Sequence, residues 1–134
     1  MTNTALSLQP LSRNESTIVL IVDDNVSGAQ TLQMILSLDG YEVVVASTGA
    51  QAIELYNKLH PAIVLLDINL PDSDGYSVAA DLRNCACEHQ PLIIAMTGWG
   101  AQADMQRAIT AGCDYHLTKP VHFDDLNSLL MNRR

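Results

Sequence analysis

The stretch TIVLIV, Thr17 to Val22, is continuously apolar and rich in β-branched side chains, and two aspartates, Asp23 and Asp24, follow it directly. A run without polar alternation suits a strand covered on both faces, the pattern of a parallel sheet between helical layers. Short aliphatic runs recur outward from it at Tyr41 to Ala46 (YEVVVA), Ala62 to Leu66 (AIVLL) and Leu92 to Met96 (LIIAM), with a shorter fifth candidate at Tyr115 to Thr118. Amphipathic segments fill the gaps. Val26 to Leu38 carries Ala29, Leu32 and Leu36 at helical spacing, with Gly40 placed to terminate the helix. Thr48 and Gln51 have capping-box spacing ahead of the stripe Ala52, Leu55, Tyr56 and Leu59, which ends before Pro61. Tyr76, Ala79 and Leu82 mark a third helix after the turn-rich Pro71 to Gly75. Met105, Ala108, Ile109 and Gly112 mark a fourth, and Phe123, Leu126 and Leu130 a closing fifth. Five βα units imply an α/β chain whose parallel sheet has helices on both faces and right-handed crossovers. Ligands in such sheets bind beyond the carboxyl ends of the strands, near the point where strand order switches.

The 134 residues, 48% of them hydrophobic, suffice for one core and are too few for two ordinary domains. With one Trp, one Phe and four Tyr, that core is aliphatic. Seven Lys and Arg against fifteen Asp and Glu leave a net charge of −8, which repels nucleic-acid phosphates, so no direct nucleic-acid binding is expected. No apolar run approaches the roughly 20 residues of a membrane helix, and no basic cluster precedes an apolar stretch near Met1. The expected location is the cytoplasm, without membrane contact. Cys85, Cys87 and Cys113 are odd in number, and Cys85-Ala86-Cys87 with His89 does not complete a zinc spacing, so all three read as reduced thiols. His60, His89 and His122 read as surface residues near turns and helix starts, and Met34, Met96, Met105 and Met131 as core or helix positions. Residues 1–16 mix Thr, Asn, Ser, Gln and Pro10 without periodicity and read as a disordered tail or linker ahead of a domain spanning 17–134.

Four of the five strands end in a reactive or charged residue: Asp23 and Asp24 after the first, Asp67 after the third, Thr97 after the fourth and Lys119 after the fifth. Any one alone reads as a loop or capping residue. Together they gather at one edge of the sheet. Three carboxylates in one place ionise normally only beside a compensating cation, and oxygen donors of this kind suit Mg²⁺. A hydroxyl and an ammonium opposite them suit an anion, so the assembly can neutralise a phosphoryl group from all sides. Asp67 ends the central strand and is the candidate nucleophile, forming an acyl phosphate. Asp23 and Asp24 can hold the metal, Thr97 can hydrogen-bond one phosphoryl oxygen, and Lys119 can pair with another. Lys119 precedes Pro120, where a cis peptide bond would aim the amine.

This pattern resembles a response-regulator receiver domain of two-component signalling, over about Ile18 to Met131. The resemblance is carried by VDDN at Val22 to Asn25, LLDINLPDSDG at Leu65 to Gly75, MTG at Met96 to Gly98 and HLTKP at His116 to Pro120. It implies a doubly wound (βα)5 flavodoxin-like three-layer sandwich with a five-stranded parallel sheet of order 2-1-3-4-5. It also implies that Asp67 is the phosphoacceptor and that Asp24, Asp67 and the backbone carbonyl of Asn69 bind Mg²⁺ with help from Asp23. Thr97 and Lys119 would contact the phosphoryl group and report it. The segment GCDYHLTKPV is most similar to receivers associated with hybrid histidine kinases.

Phosphorylation adds roughly −1.5 to −2 charge, which draws the Thr97 hydroxyl inward and lets the residue three before the Lys rotate. That residue is His116, where Tyr or Phe is common in the family, so it is either a switch residue with a pH-dependent charge or a strand-end side chain without a role. Asn69 and Trp99, each two residues after a site residue, stand where the family tunes attack by water. Trp99 reads equally as a partner anchor or a ring packed on its own loop, and Tyr115 as core or partner surface. The implied phosphodonor is a sensor or hybrid histidine kinase or a histidine phosphotransfer protein. Output runs through the fourth helix, fifth strand and fifth helix to a protein partner or attached domain. Such a chain catalyses its own phosphorylation and dephosphorylation without being a conventional metabolic enzyme. Two other classes compete: an aspartyl-phosphate phosphatase, opposed by Asn69 where a second Asp would serve as general acid, and a binding module never phosphorylated, opposed by the presence of all five strand-end groups.

Overall fold

A computed structural model describes residues 17–72, 74–85, 90–98 and 102–131, without the side chains of 102–105 and 108. The tail read at 1–16, Cys87 and His89 lie outside the described residues. The elements are β1 (Ile18–Val22), α1 (Val26–Leu38), β2 (Glu42–Ala46), α2 (Gly49–Leu59), β3 (Ile63–Asp67), α3 (Gly75–Cys85), β4 (Leu92–Thr97), α4 (Gln102–Ala111), β5 (Tyr115–Thr118) and α5 (Phe123–Met131). Every ladder is parallel, in the order β2-β1-β3-β4-β5. This is the parallel sheet with helices on both faces expected from the alternation of aliphatic runs and amphipathic segments, in the doubly wound order that the resemblance implies. The order reverses between β1 and β3, so the crevice of the switch point opens where Asp23, Asp24 and Asp67 leave the sheet. β3 and β4 each run one residue past their apolar run, because a polar side chain at a strand end leaves the backbone free to pair: Asp67 lies opposite Met96 and Thr97 opposite Thr118.

Alternate side chains of each inner strand feed two separate cores. Leu20, Val22, Val64, Leu66, Ile93 and Ala95 pack with Ala52 and Tyr56 of α2 and Ala79 and Leu82 of α3. Val19, Ile21, Ile63, Leu65, Ile94 and Met96 pack on the other face with Ala29 and Leu36 of α1 and Leu126 and Leu130 of α5. The edge strand β2 is only half-buried over Val43 to Val45, and Tyr115 is 40% exposed on β5. Three residues read as apolar core or stripe positions face outward: Met34 is 64%, Ile109 58% and Met131 43% exposed. The helical period marks a face, and how wide a face the sheet covers depends on the packing.

The local signals act as their chemistry dictates. Thr48 Oγ1 accepts the Gln51 N–H at 3.1 Å, while the Gln51 carbonyl reaches back past Thr48 to the Ser47 N–H at 2.9 Å. α1 closes on bonds from the Gly40 N–H to Ser37 and the Tyr41 N–H to Leu36. His60 and His122 are exposed, as their positions near turns suggest. At the edge of the sheet away from Asp67, Arg83 donates from Nε to the Gly112 carbonyl (2.8 Å), from Nη1 to the Pro91 carbonyl (2.7 Å) and from Nη2 to Asp114 (2.7 Å). Asp114 in turn accepts the Ile93 N–H at 2.8 Å, so one guanidinium fastens α3, β4 and the turn after α4. Gly112 has φ 110, a conformation open to glycine, and a Cβ there would stand 3.0 Å from Arg83 Cγ. Beside it Cys113 is buried, which pushes its thiol up to about 11 and leaves it protonated and inert at neutral pH.

Gly75 presses its backbone onto the end of β3. A Cβ there would lie 2.5 Å from Ile68 Cα and 2.9 Å from the Asp67 carbonyl oxygen. Gly75→Ala should therefore destabilise the domain by about 2–3 kcal/mol through forced backbone displacement. Gly28→Ala in α1, whose Cβ would meet only the Asn25 side chain at 3.4 Å, should stabilise by up to about 1 kcal/mol. Thermal unfolding of the two variants beside the parent checks both signs.

Candidate functional site

Strand parity builds the centre of the site. Asp67 continues the Ile63, Leu65 set of β3, Asp23 the Val19, Ile21 set of β1, and Lys119 follows Leu117 of β5, so all three leave the sheet toward the α1 and α5 layer. Lys119 Nζ donates to Asp23 Oδ2 and to Asp67 Oδ2, at 3.0 Å each. The other oxygen of each carboxylate accepts a backbone N–H two residues on, Asn25 for Asp23 and Asn69 for Asp67, both at 2.9 Å. Both aspartates are buried while Asp24 is exposed, and oxygens of all three lie within 4.8 Å of one another. The Lys119–Pro120 peptide bond is cis.

Burial pushes the Asp67 carboxyl above the usual aspartate value, opposed by the Asn69 N–H and by the Lys119 hydrogen bond and charge. Burial pulls Lys119 down, but its hydrogen bonds to Asp23 and Asp67 and their charges outweigh that and hold the amine above the ordinary lysine value. The ammonium is thus firmly charged and neutralises only part of the cluster. Hard oxygen donors at this spacing, with net negative charge left over, fit a small divalent cation such as Mg²⁺. Thr97 Oγ1 supplies a second sign of an absent group: it is the one buried side-chain polar atom among the described residues with no hydrogen-bond partner.

The structure therefore brings Asp23, Asp24, Asp67 and Lys119 together, with Thr97 at the end of the adjacent strand. Asn69 follows Asp67 and bridges to Asp74, where the Gly75 N–H donates to the Ile68 carbonyl at 3.0 Å. His116 is half-buried within β5, and Trp99 lies outside the described residues. Asp72 and Asp74, in the turn-rich stretch before α3, have further partners. Asp72 reaches α2, accepting the Gly49 N–H at 2.9 Å and the Ala50 N–H at 3.4 Å. Asp74 accepts the Tyr76 N–H at 2.9 Å and pairs with Arg107 of α4 at 3.4 Å. Arg107 also stacks 4.2 Å over the Tyr76 ring. A cleft of about 650 Å³ opens among Asp24, Asn69, Pro71, Asp72, Asp74 and Arg107. A second, of about 510 Å³, opens on the other side of the acidic cluster among Asp23, Asn25, Leu32, Ile35, Lys119 and Phe123.

Residues 19–131 match the family described as the response regulator receiver domain. The chain belongs to that family. Among curated relatives, this receiver domain is 38% identical over 102 residues to a probable transcriptional regulator, ycf27, of Cyanophora paradoxa, a match covering 76% of this chain and 41% of the relative. It therefore spans about two-fifths of that relative's length. Among solved structures it resembles a response regulator protein from Burkholderia pseudomallei with a phosphorylated aspartic acid, calcium ion and citrate. That match has a TM-score of 0.78 and 26% identity, over 84% of this chain and 65% of that one. It also resembles a chain in the co-crystal structure of the Saccharomyces cerevisiae histidine phosphotransfer signaling protein Ypd1 and the receiver domain of its downstream response regulator Ssk1. There the TM-score is 0.78 with 26% identity, over 84% and 85% of the two chains.

Removing the ammonium leaves two buried carboxylates facing each other. Lys119→Met should destabilise the receiver domain at pH 7 by roughly 3 kcal/mol. The sign with pH follows from Asp67, whose carboxyl is raised in the folded state. Its stability contribution is present below the unfolded value near pH 4 and is lost as pH rises through the folded value, because the unfolded chain ionises more readily. Losing Lys119 raises that folded value further. Urea unfolding from pH 4 to 7.5 should show the deficit of Lys119→Met growing with pH and shrinking toward pH 4.

Proposed function

We propose that this receiver domain is a phosphorylation-controlled signalling switch in which Asp67 accepts a phosphoryl group from a phosphohistidine donor. The observation that carries the reading is the buried Thr97 hydroxyl without a partner, at the strand end next to a buried carboxylate that already has an ammonium on one oxygen. An Asp67 carboxylate oxygen forms the bond to phosphorus as the donor's P–N bond breaks and the imidazole leaves. Lys119 and Thr97 then hold phosphoryl oxygens. Asp23, Asp24 and Asp67 with the Asn69 backbone carbonyl would hold Mg²⁺, which supplies the positive charge that offsets the carboxylates and the incoming group. The phosphorylated aspartate and calcium ion of the Burkholderia pseudomallei relative support the assignment by analogy.

The donor is a sensor or hybrid histidine kinase or a histidine phosphotransfer protein, the class to which Ypd1 in the Ssk1 co-crystal belongs. Residues 17–134 form the receiver unit. Inward movement of Thr97 toward the phosphoryl group is the start of the switch, with His116 as the residue that follows it and Asn69 and Trp99 tuning hydrolysis. Output passes through α4, β5 and α5, where Ile109 and Tyr115 are exposed apolar surface, to a protein partner or an attached domain; the relative described as a probable transcriptional regulator is matched over only 41% of its length. No described helix is long and apolar enough to cross a membrane, and the proposed site of action is the cytoplasm.

Incubation with acetyl phosphate should add one phosphoryl group by intact mass, labile to base and dependent on Mg²⁺, and Asp67→Asn should gain none. No gain in the parent chain, together with no Mg²⁺-dependent binding of beryllofluoride, would overturn the reading.

A further inference from the structure

Beyond the strand-end residues, the loop that follows Asp67 is held from outside by a contact that the proposed chemistry has not used. The first turn of α2 exposes three N–H groups. Thr48 Oγ1 takes that of Gln51, and the carboxylate of Asp72, 22 and 23 positions further along the chain, takes those of Ala50 and Gly49. Asp72 is thus the distant half of the α2 cap, its charge favoured at the positive end of the helix dipole. It sits in the same short loop as Asn69, three residues after it. On its other side the loop is tied by Gly75 to Ile68 and by Asp74 to the start of α3. With Asp67 ending β3, Asn69 and Asp72 lie between two helix N-termini, and Asp72 supplies the tie to α2.

We propose that Asp72 is a positioning residue for the metal and phosphoryl site, holding the Asn69 backbone against Asp67 by anchoring the loop to the N-terminus of α2. The proposal rests on the metal-site reading above. Both Asp72 carboxylate oxygens accept α2 amides, so its part is to set where Asn69 stands. A second reading, in which Asp72 only stabilises α2, predicts the same loss of thermal stability and no change at the site.

Three variants separate the readings: Asp72→Ala, Asp72→Asn, which keeps one carbonyl oxygen for Gly49, and Thr48→Ala, which removes the local half of the same cap without touching the loop. Each is measured by Mg²⁺ titration calorimetry, by amide hydrogen exchange and by thermal unfolding. Asp72→Ala should weaken Mg²⁺ binding about tenfold and speed exchange at the Asn69 amide, which donates to Asp67, as well as at Gly49 and Ala50. Asp72→Asn should recover most of the affinity. Thr48→Ala should lower the melting temperature by several degrees, as cap losses do, with Mg²⁺ affinity and Asn69 exchange unchanged. Parent-like affinity and Asn69 exchange in Asp72→Ala, or an equal loss of affinity in Thr48→Ala, would overturn the positioning role while leaving the metal site standing. Absence of Mg²⁺ binding in the parent chain would overturn the metal reading and this proposal with it. If Asp72→Ala does not fold, Asp72→Asn carries the comparison, with intermediate affinity and faster Asn69 exchange expected and parent-like values on both counts overturning it.

Discussion

One ammonium holds the functional edge of this molecule together. Asp23 and Asp67 are buried carboxylates brought side by side by the parity of adjacent strands, and without Lys119 between them their repulsion would oppose the register that creates them. The bridge spans the sheet edge, since the amine comes from the end of β5, two strands away from β3. Lys119 answers one unit of charge among three aspartates. What is left over is net negative charge that a divalent cation would offset.

Stability and function occupy different parts of the fold. Two aliphatic layers, one on each face of the sheet, supply the cohesion, and neither contains an ionisable group of the site. Polar groups that are imperfectly satisfied, the Thr97 hydroxyl and the crowded carboxylates, collect along the carboxyl edge. The opposite edge is the reverse case, with Nε, Nη1 and Nη2 of Arg83 each directed at a carbonyl or carboxylate. Such a division lets the rim be reorganised by a ligand while the layers beneath stay packed.

Most of this was legible in the sequence because the informative signals are local. An uninterrupted aliphatic run followed at once by Asp, Thr or Lys identifies both a buried strand and the edge at which its end emerges, so the sheet and the five strand-end residues could be read together. Thr48 with Gln51, and Gly40, announce helix ends within a turn of themselves. The contacts of Asp72 were not legible, since they join segments more than twenty positions apart and the residue looks locally like any turn former before Gly75. Arg107 lies in a helix whose pattern said nothing of Tyr76 or Asp74. The outward placement of Met34 and Ile109 was equally hidden, because helical period gives the direction of a stripe and leaves its breadth to the neighbours.

The Arg83 fastening bears on how motion can travel. It ties the Gly112 carbonyl, one residue beyond the end of α4, to Arg83 of α3 beside the start of β4. The other end of that helix, at Gln102, lies five residues beyond Thr97. A rod of ten residues, about 15 Å long, that is anchored at one tip answers a push at the other by pivoting. With the tie at Gly112, any displacement of α4 would be smallest where the helix meets β5 and greatest at Gln102.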